Sequence, residues 1–319
     1  MLLDVRDLHK RFGGAVALAG AELAVAAGSV HGLMGENGAG KTTLIKCLAG
    51  NVMPDEGEIR IDGAARAIFS VHESEAIGFR FIHQELNLVP HFDAVENCFV
   101  GRPYPRRGPL IDRAAMRRRI AHVAAEVAPD LPLDVPAGRL TTGQRQLVAI
   151  VRALAVEPAR LVVMDEPTAS LSEGEAARLH QAVRHLAAQG VAVIYISHRL
   201  DEVMALCDRF SVLRNGSTVG SGAIKDITRG DLVRLMSGHD TEPREADAPR
   251  HTGATVLRVA ALPFGPPGRT LSLAVASGEI VGLYGLVGSG RSSLLKTIWG
   301  ARANAGGTIA IDGRALRPG

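Results

Sequence analysis

Cysteine, lysine, net charge and long apolar runs are all scarce in this 319-residue sequence. The three cysteines, Cys47, Cys98 and Cys207, are widely separated, odd in number and free of C-x-x-C spacing. That pattern suggests neither a disulfide framework nor a zinc site. A formal charge of +3 is small for the length, so no nucleic-acid partner is expected. There is no secretory leader pattern and no unbroken run of the roughly 18 apolar residues that would cross a bilayer. Any membrane role is therefore expected to come through a partner. Lysine is the sharpest shortage, with five against 31 arginines. One of the five, Lys41, sits where the planar fork of an arginine would not substitute.

What is present is 46% hydrophobic residues in short runs between longer helical periods, which predicts an α/β domain with a largely parallel sheet from residue 1 to about 237. The runs 162–164 and 191–196 are apolar on consecutive residues, as in strands buried on both faces. Asn215-Gly216 reads as a tight hairpin turn, and the polar stretch 238–255 as a linker. A shift of 250 positions then aligns residues 28–63 with 278–313 without a gap and keeps 14 of 36 residues. Tandem duplication is the expected cause. Residues 256–319 are expected to hold the opening strands, phosphate loop and first helix of a second copy, but none of the later elements of the first.

Gly35-Glu36-Asn37-Gly38-Ala39-Gly40-Lys41-Thr42 fits G-x-x-x-x-G-K-[ST] between an apolar strand, 30–34, and a helix beginning near Lys41. Glycines let the backbone bend so that successive N–H groups and the helix N-terminus face phosphate. Lys41 adds a compact cation for the β- and γ-oxygens, and Thr42 can place a hydroxyl on Mg²⁺. Residues 35–42, with Thr43, are therefore assigned to ATP.

Asp165 and Glu166 end the apolar run that starts at Leu161. A carboxylate at a strand terminus can hold Mg²⁺ while its neighbour polarises an attacking water, so Asp165 is given to the metal and Glu166 to the general base. His198 closes a third strand of the same sense, at the edge where ligands of open α/β sheets collect, and could hold the γ-phosphate and water. The segment Leu140-Thr141-Thr142-Gly143-Gln144 feeds a helix whose apolar positions 147, 150, 151 and 154 share a face. It makes a second anion site, to which Thr141, Gly143 and Gln144 are assigned. One segment cannot cover the same nucleotide from both sides, so a head-to-tail pair of domains is the economical arrangement.

In this order the segments resemble the nucleotide-binding domain of ABC transporters, a P-loop NTPase fold. The resemblance implies that Gln84, in Phe81-Ile82-His83-Gln84-Glu85, touches Mg²⁺ and the attacking water. It also implies that Phe12 stacks on adenine and that Ala169-Ser170-Leu171-Ser172 is the D-loop. Residues 81–88, Glu96-Asn97 leading to Gly101-Arg102, and Ile111-Asp112-Arg113 look like the carbohydrate-uptake importers, whose ATPase fuses two such domains. That implies membrane permease subunits as partners, with a sugar-binding protein beyond them and a peripheral place on the cytoplasmic face of the membrane. A second nucleotide-binding domain, a homodimer through the first domain included, would complete the site. For Arg117 to Arg119, a permease contact and a solvated face both remain open.

Two residue choices depart from the family pattern. Thr142 stands where a small residue is usual, and Arg291 replaces the lysine of the second loop, so weak or absent hydrolysis is expected there. A soluble ABC-type ATPase acting in translation, or an inactive remnant, remain as alternative readings.

Overall fold

The structure is a computed structural model that describes residues 1–83, 86–155, 158–169, 171–238, 253–265, 268–285 and 289–316. It divides into two compact units, one ending at Thr241 and one beginning at Glu242. Of the expected linker, residues 239–252 lie outside the described residues.

The first unit opens with strands β1 (Leu3–Phe12) and β2 (Ala15–Val25), then β3 (Val30–Met34), helix α1 (Lys41–Leu48), and strands β4 (Glu56–Ile61) and β5 (Ala64–Ala65). β2, β1, β4 and β5 form an antiparallel sheet in that order. Its first strand alternates imperfectly because a bulge at Asp7, with φ of 47°, shifts the register between Val5 and Leu8. Both apolar residues thereby stay buried. Gly57 on the neighbouring strand makes room for the bulge, since a Cβ there would lie 2.3 Å from the Asp7 carbonyl oxygen.

Next come α2 (Val71–Ile77), β6 (Phe79–Ile82), α3 (Ala94–Phe99), the short hairpin β7 (Arg106–Arg107) and β8 (Leu110–Ile111), α4 (Arg113–Val127) and α5 (Thr142–Ala155). The chain then alternates β9 (Leu161–Asp165), α6 (Glu173–Ala188), β10 (Ala192–Ile196) and α7 (Leu200–Leu206), and closes on β11 (Arg209–Arg214), β12 (Ser217–Ala223) and α8 (Arg229–Ser237). A six-stranded sheet runs β12-β11-β3-β10-β9-β6. All neighbours in it are parallel except the edge strand β12.

The consecutive apolar residues of its central strands serve two cores. Val162, Met164, Val193 and Tyr195 face the helical layer, whereas Leu161, Val163, Ile194 and Ile196 face the antiparallel sheet and α1. A strand sandwiched this way has no solvent face to carry polar residues. The helix after the Thr141 loop is also buried more widely than a single stripe. α5 packs against α3, α4, α6 and β6, so Val148, Ala149 and Ala153 are buried, while Leu147 and Leu154 are only partly so.

The second unit holds β13 (Thr255–Pro263), β14 (Thr270–Ala276), α9 (Arg291–Ile298), β15 (Thr308–Ile311) and β16 (Arg314–Ala315). Its antiparallel order, β14-β13-β15-β16, repeats that of β2-β1-β4-β5. A small core of Val259, Leu262, Leu294 and Ile309 lies within it. One expectation needs correction: residues 280–284, the counterpart of β3, form no strand. In the first unit β3 is paired by β10 and β11, and among the described residues of the second unit no strand supplies that role. Ile280 and Tyr284 are accordingly 80% and 98% exposed.

Candidate functional site

The phosphate-type loop is shaped by glycines that nothing else replaces. Gly35, Gly38 and Gly40 have φ of 147°, 82° and 106°. A Cβ on Gly35 would lie 2.2 Å from the Leu213 carbonyl oxygen, and one on Gly40 2.7 Å from that of Ala17. The β11–β12 hairpin turns at Asn215 and Gly216, both with positive φ. It also braces the loop: Gly216 N–H donates to Ala39 O at 3.0 Å, and its carbonyl accepts from Ala19 N–H at 2.9 Å.

Behind the loop lies a cavity of about 790 Å³ lined by Gly35, Glu36, Asn37, Gly38, Ala39, Gly40, Lys41, Thr42 and Thr43, together with Asp165, Glu166 and His198. Ala17 and Met236 line it too. Neither carries a local signal, since one is an ordinary residue of β2 and the other comes from α8, late in the unit. Lys41 Nζ turns onto the loop itself, 2.7 Å from Gly35 O and 2.9 Å from Glu36 O. Burial lowers its pKa, and the neighbouring Glu166 and Asp165 oppose that shift.

Asp165 ends β9 half-buried, and burial, then the charge of Glu166, raise its pKa against His83 and Lys41. Glu166 follows with φ of 47°, a left-handed conformation unusual for a long side chain. Its N–H donates to Ile196 O at 3.0 Å, which ties the turn to the end of β10. Two residues on, His198 Nδ1 lies 3.0 Å from Glu166 Oε1, so the two groups form a pair.

Among the described residues no group of three or more His, Cys, Asp or Glu side chains could hold a metal ion. Two carboxylates facing one lysine still favour a cation, and Mg²⁺ typically completes a small protein contribution with phosphate oxygens and water. Thr42 and Asp165 fit that contribution.

The other residues singled out by sequence lie elsewhere. Phe12 is 49% exposed, lies beneath Lys10 Nζ at 5.6 Å, and is not part of the cavity lining. Gln84 and Ser170 lie outside the described residues. Thr141, Gly143 and Gln144 also lie outside the cavity lining, at the N-terminus of α5. Thr141 and Gln144 cap each other there: Gln144 N–H donates to Thr141 Oγ1 at 3.2 Å, and Thr141 N–H to Gln144 Oε1 at 3.0 Å.

Sequence reasoning missed what holds this loop. Glu175 Oε1 accepts from Thr141 Oγ1 at 2.8 Å and from Gly143 N–H at 3.1 Å, while its Oε2 accepts from the backbone and hydroxyl of Ser172. Bonds from the Ser172 backbone and the Thr141 hydroxyl, in that order, lead in pulling its pKa down to about 2. A Cβ at position 143 would lie 2.7 Å from that carboxylate, so a larger residue there would displace the Glu175 side chain from its bonds. The Ser172-x-x-Glu175 capping box was the readable half of the signal. The reach across to Thr141 was not.

Residues 18–169 and 269–318 match the family model described as ABC transporter. Over 318 residues the chain is 41% identical to the ribose import ATP-binding protein RbsA of Chromobacterium violaceum, a match that covers 99% of this chain and 63% of that protein. The chain thus spans less than two thirds of that relative's length. It superposes with a TM-score of 0.65 and 27% identity on the ADP conformation of MJ1267, an ATP-binding cassette of an ABC transporter, covering 75% of this chain and 99% of that one. With the dimeric structure of MJ0796, a bacterial ABC transporter cassette, the TM-score is 0.59 at 25% identity, over 70% of this chain and 99% of the other. Because the family model matches more than half of the chain and the fold is that of its cassettes, the chain belongs to the ABC transporter family and carries the P-loop ATPase fold.

Proposed function

We propose that this chain binds ATP with Mg²⁺ at residues 35–43 and hydrolyses it as the ATP-binding subunit of an importer that takes up a sugar through membrane permease subunits. The observation that carries the reading is the convergence of the glycine loop, Asp165 and the Glu166–His198 pair on one cavity. In this reading the loop N–H groups and Lys41 bind the β- and γ-phosphates, for which Lys41 leaves the carbonyls it now contacts. Glu166 takes the proton of the attacking water, and His198, held by Glu166, orients that water against the γ-phosphate. Thr42, Asp165 and Gln84 would hold Mg²⁺, which when bound would supply neutralisation of charge on the phosphate oxygens. Phe12 would carry the adenine.

Residues 1–237 are assigned to the nucleotide-binding domain, 238–255 to a linker and 256–319 to the opening elements of a second copy. Thr141, Gly143 and Gln144 stand outside the cavity, which supports their serving the nucleotide of another domain, paired head to tail. A second copy of this chain is one such partner, and the dimeric state of MJ0796 supports pairing of two copies. A sugar as cargo, delivered by a sugar-binding protein, is supported by the name of the Chromobacterium relative. No helix among the described residues is long and apolar enough to cross a membrane, which suits a peripheral subunit at the cytoplasmic face.

The test is Mg²⁺-dependent ATP hydrolysis by the chain with its permease. Glu166→Gln should lower turnover by at least about 100-fold while ATP still binds. Unchanged hydrolysis would remove Glu166 from the mechanism. Co-purification with ribosomes instead of a permease would sink the transport reading.

A further inference from the structure

A buried carboxylate with no part in the proposed hydrolysis is bonded to residues that flank Glu166 and His198 in the chain. Glu202, on α7, is only 8% exposed. Its Oε2 accepts from Thr168 Oγ1 at 2.5 Å and from Tyr195 OH at 3.1 Å, and its Oε1 lies 2.5 Å from Arg199 Nη1. Thr168 and Tyr195 are themselves buried, at the turn after β9 and on β10. The network continues to α6, where His180 Nε2 lies 3.3 Å from the Tyr195 oxygen and the two rings meet edge to face. Burial lowers the His180 pKa.

An isolated carboxylate is costly to bury, and an apolar side chain of similar size would fill the same space without that cost. The arrangement is informative because of where its members stand in the chain. Thr168 is two residues after Glu166. Tyr195 precedes His198 by three residues, while Arg199 and Glu202 come after it. The turn after β9, through Thr168, and β10, through Tyr195, are thus anchored to the same carboxylate oxygen, Oε2. Arg199 N–H also donates to Ser197 Oγ at 3.0 Å, which closes the segment around His198.

We propose that Glu202 is a positioning residue that sets the Glu166–His198 geometry by tying the turn after β9 to both sides of the His198 segment. It is not among the residues that line the cavity at the glycine loop. The inference rests on the proposed hydrolysis, and one of its readouts does not depend on hydrolysis. A shift of the reacting groups by a fraction of an ångström leaves phosphate binding at residues 35–43 intact but lowers the chemical step.

The test uses Thr168→Val, which removes one hydroxyl donor at nearly constant shape, beside Thr168→Ser and Glu202→Gln. Thermal unfolding checks that each variant folds. Thr168→Val should lower turnover by about tenfold or more with ATP affinity changed less than about twofold. Thr168→Ser should restore turnover. The imidazole nitrogen resonances of His198 provide the independent readout, and in Thr168→Val they should move toward their positions in Glu166→Gln. If Thr168→Val and Glu202→Gln lower only the unfolding temperature and leave both turnover and the His198 resonances as in the parent chain, the proposal is overturned. If the parent chain itself shows no turnover, the hydrolase reading falls and the His198 resonances alone decide the role of Glu202.

Discussion

Two stretches of near-repeated sequence, 28–63 and 278–313, end in different structures, and the difference separates local from distant causes. The antiparallel sheet forms in both units with the same strand order and the same bulge, at Asp7 in one and at Ala261 in the other, with φ of 47° and 52°. Each of these sheets is completed by strands within about 60 residues of one another, so the repeat carries its own partners. β3 and its counterpart at 280–284 differ because β3 is paired by residues 192–196 and 209–214, far along the chain. An apolar run becomes a parallel strand only where its neighbours exist.

The comparison breaks most sharply at the first glycine of each loop. Gly35→Ala should destabilise the first unit by about 3 kcal/mol or more, because φ of 147° and the Leu213 carbonyl both forbid a Cβ. Gly285→Ala meets side chains alone, the Ser289 hydroxyl at 2.8 Å, which can rotate away, and the Ser289 Cβ at 3.3 Å. Its effect should stay below about 1 kcal/mol in the same urea titration. A mild outcome at Gly35 would mean that the loop is not braced by the hairpin.

Nucleotide binding should divide the two loops nearly as far. Lys41→Ala is expected to weaken ATP binding by about 10- to 100-fold, the worth of a charge-assisted hydrogen bond, whereas Arg291→Ala should leave it within about twofold. Fluorescent-nucleotide titration checks both. Equal losses would show that the second loop binds as well as the first.

A smaller effect concerns the Thr141 loop, for which the described second unit has no counterpart. The Glu175 pKa is depressed to about 2 in the folded chain, so its contribution is fully present above the ordinary carboxylate range and is lost as pH falls through about 2. The stability difference between the parent chain and Glu175→Gln should therefore be constant near neutrality and shrink as pH falls from about 4.5 towards 2. A pH-independent difference would mean that packing, not charge, ties Glu175 to Thr141 and Gly143. The smallest expected change is a gain. Ala261→Gly relieves a left-handed alanine and should stabilise the second unit by about 1 kcal/mol, while Asp7→Gly should gain less because aspartate tolerates that region better.

The parts of the site legible in sequence were those whose chemistry sits on adjacent residues. The glycine loop, Asp165-Glu166 and His198 each carry their reason within a few positions, and strand ends deliver them to one edge of a parallel sheet. The width of burial around α5 was not legible, because periodicity describes one helix face and not how many neighbours surround it. Glu175 and Glu202 were illegible for a related reason. Each looks like an ordinary helix glutamate, and only the fold sets one against Thr141 and Gly143 and the other against Thr168 and Tyr195.

By itself, then, the amino-acid sequence determined the phosphate-type loop, the acidic strand end, the duplicated antiparallel sheet and the tight turn at Asn215, because backbone conformation and near-neighbour hydrogen bonds decide these. The tertiary structure alone decided which apolar runs became strands, which carboxylates were buried, and that Glu166 and His198 meet at 3.0 Å. The Glu166–His198 contact spans 32 residues and the pairing of β3 with β11 sets residue 31 beside residue 209, approaches that follow from burying the two cores on either side of the central sheet.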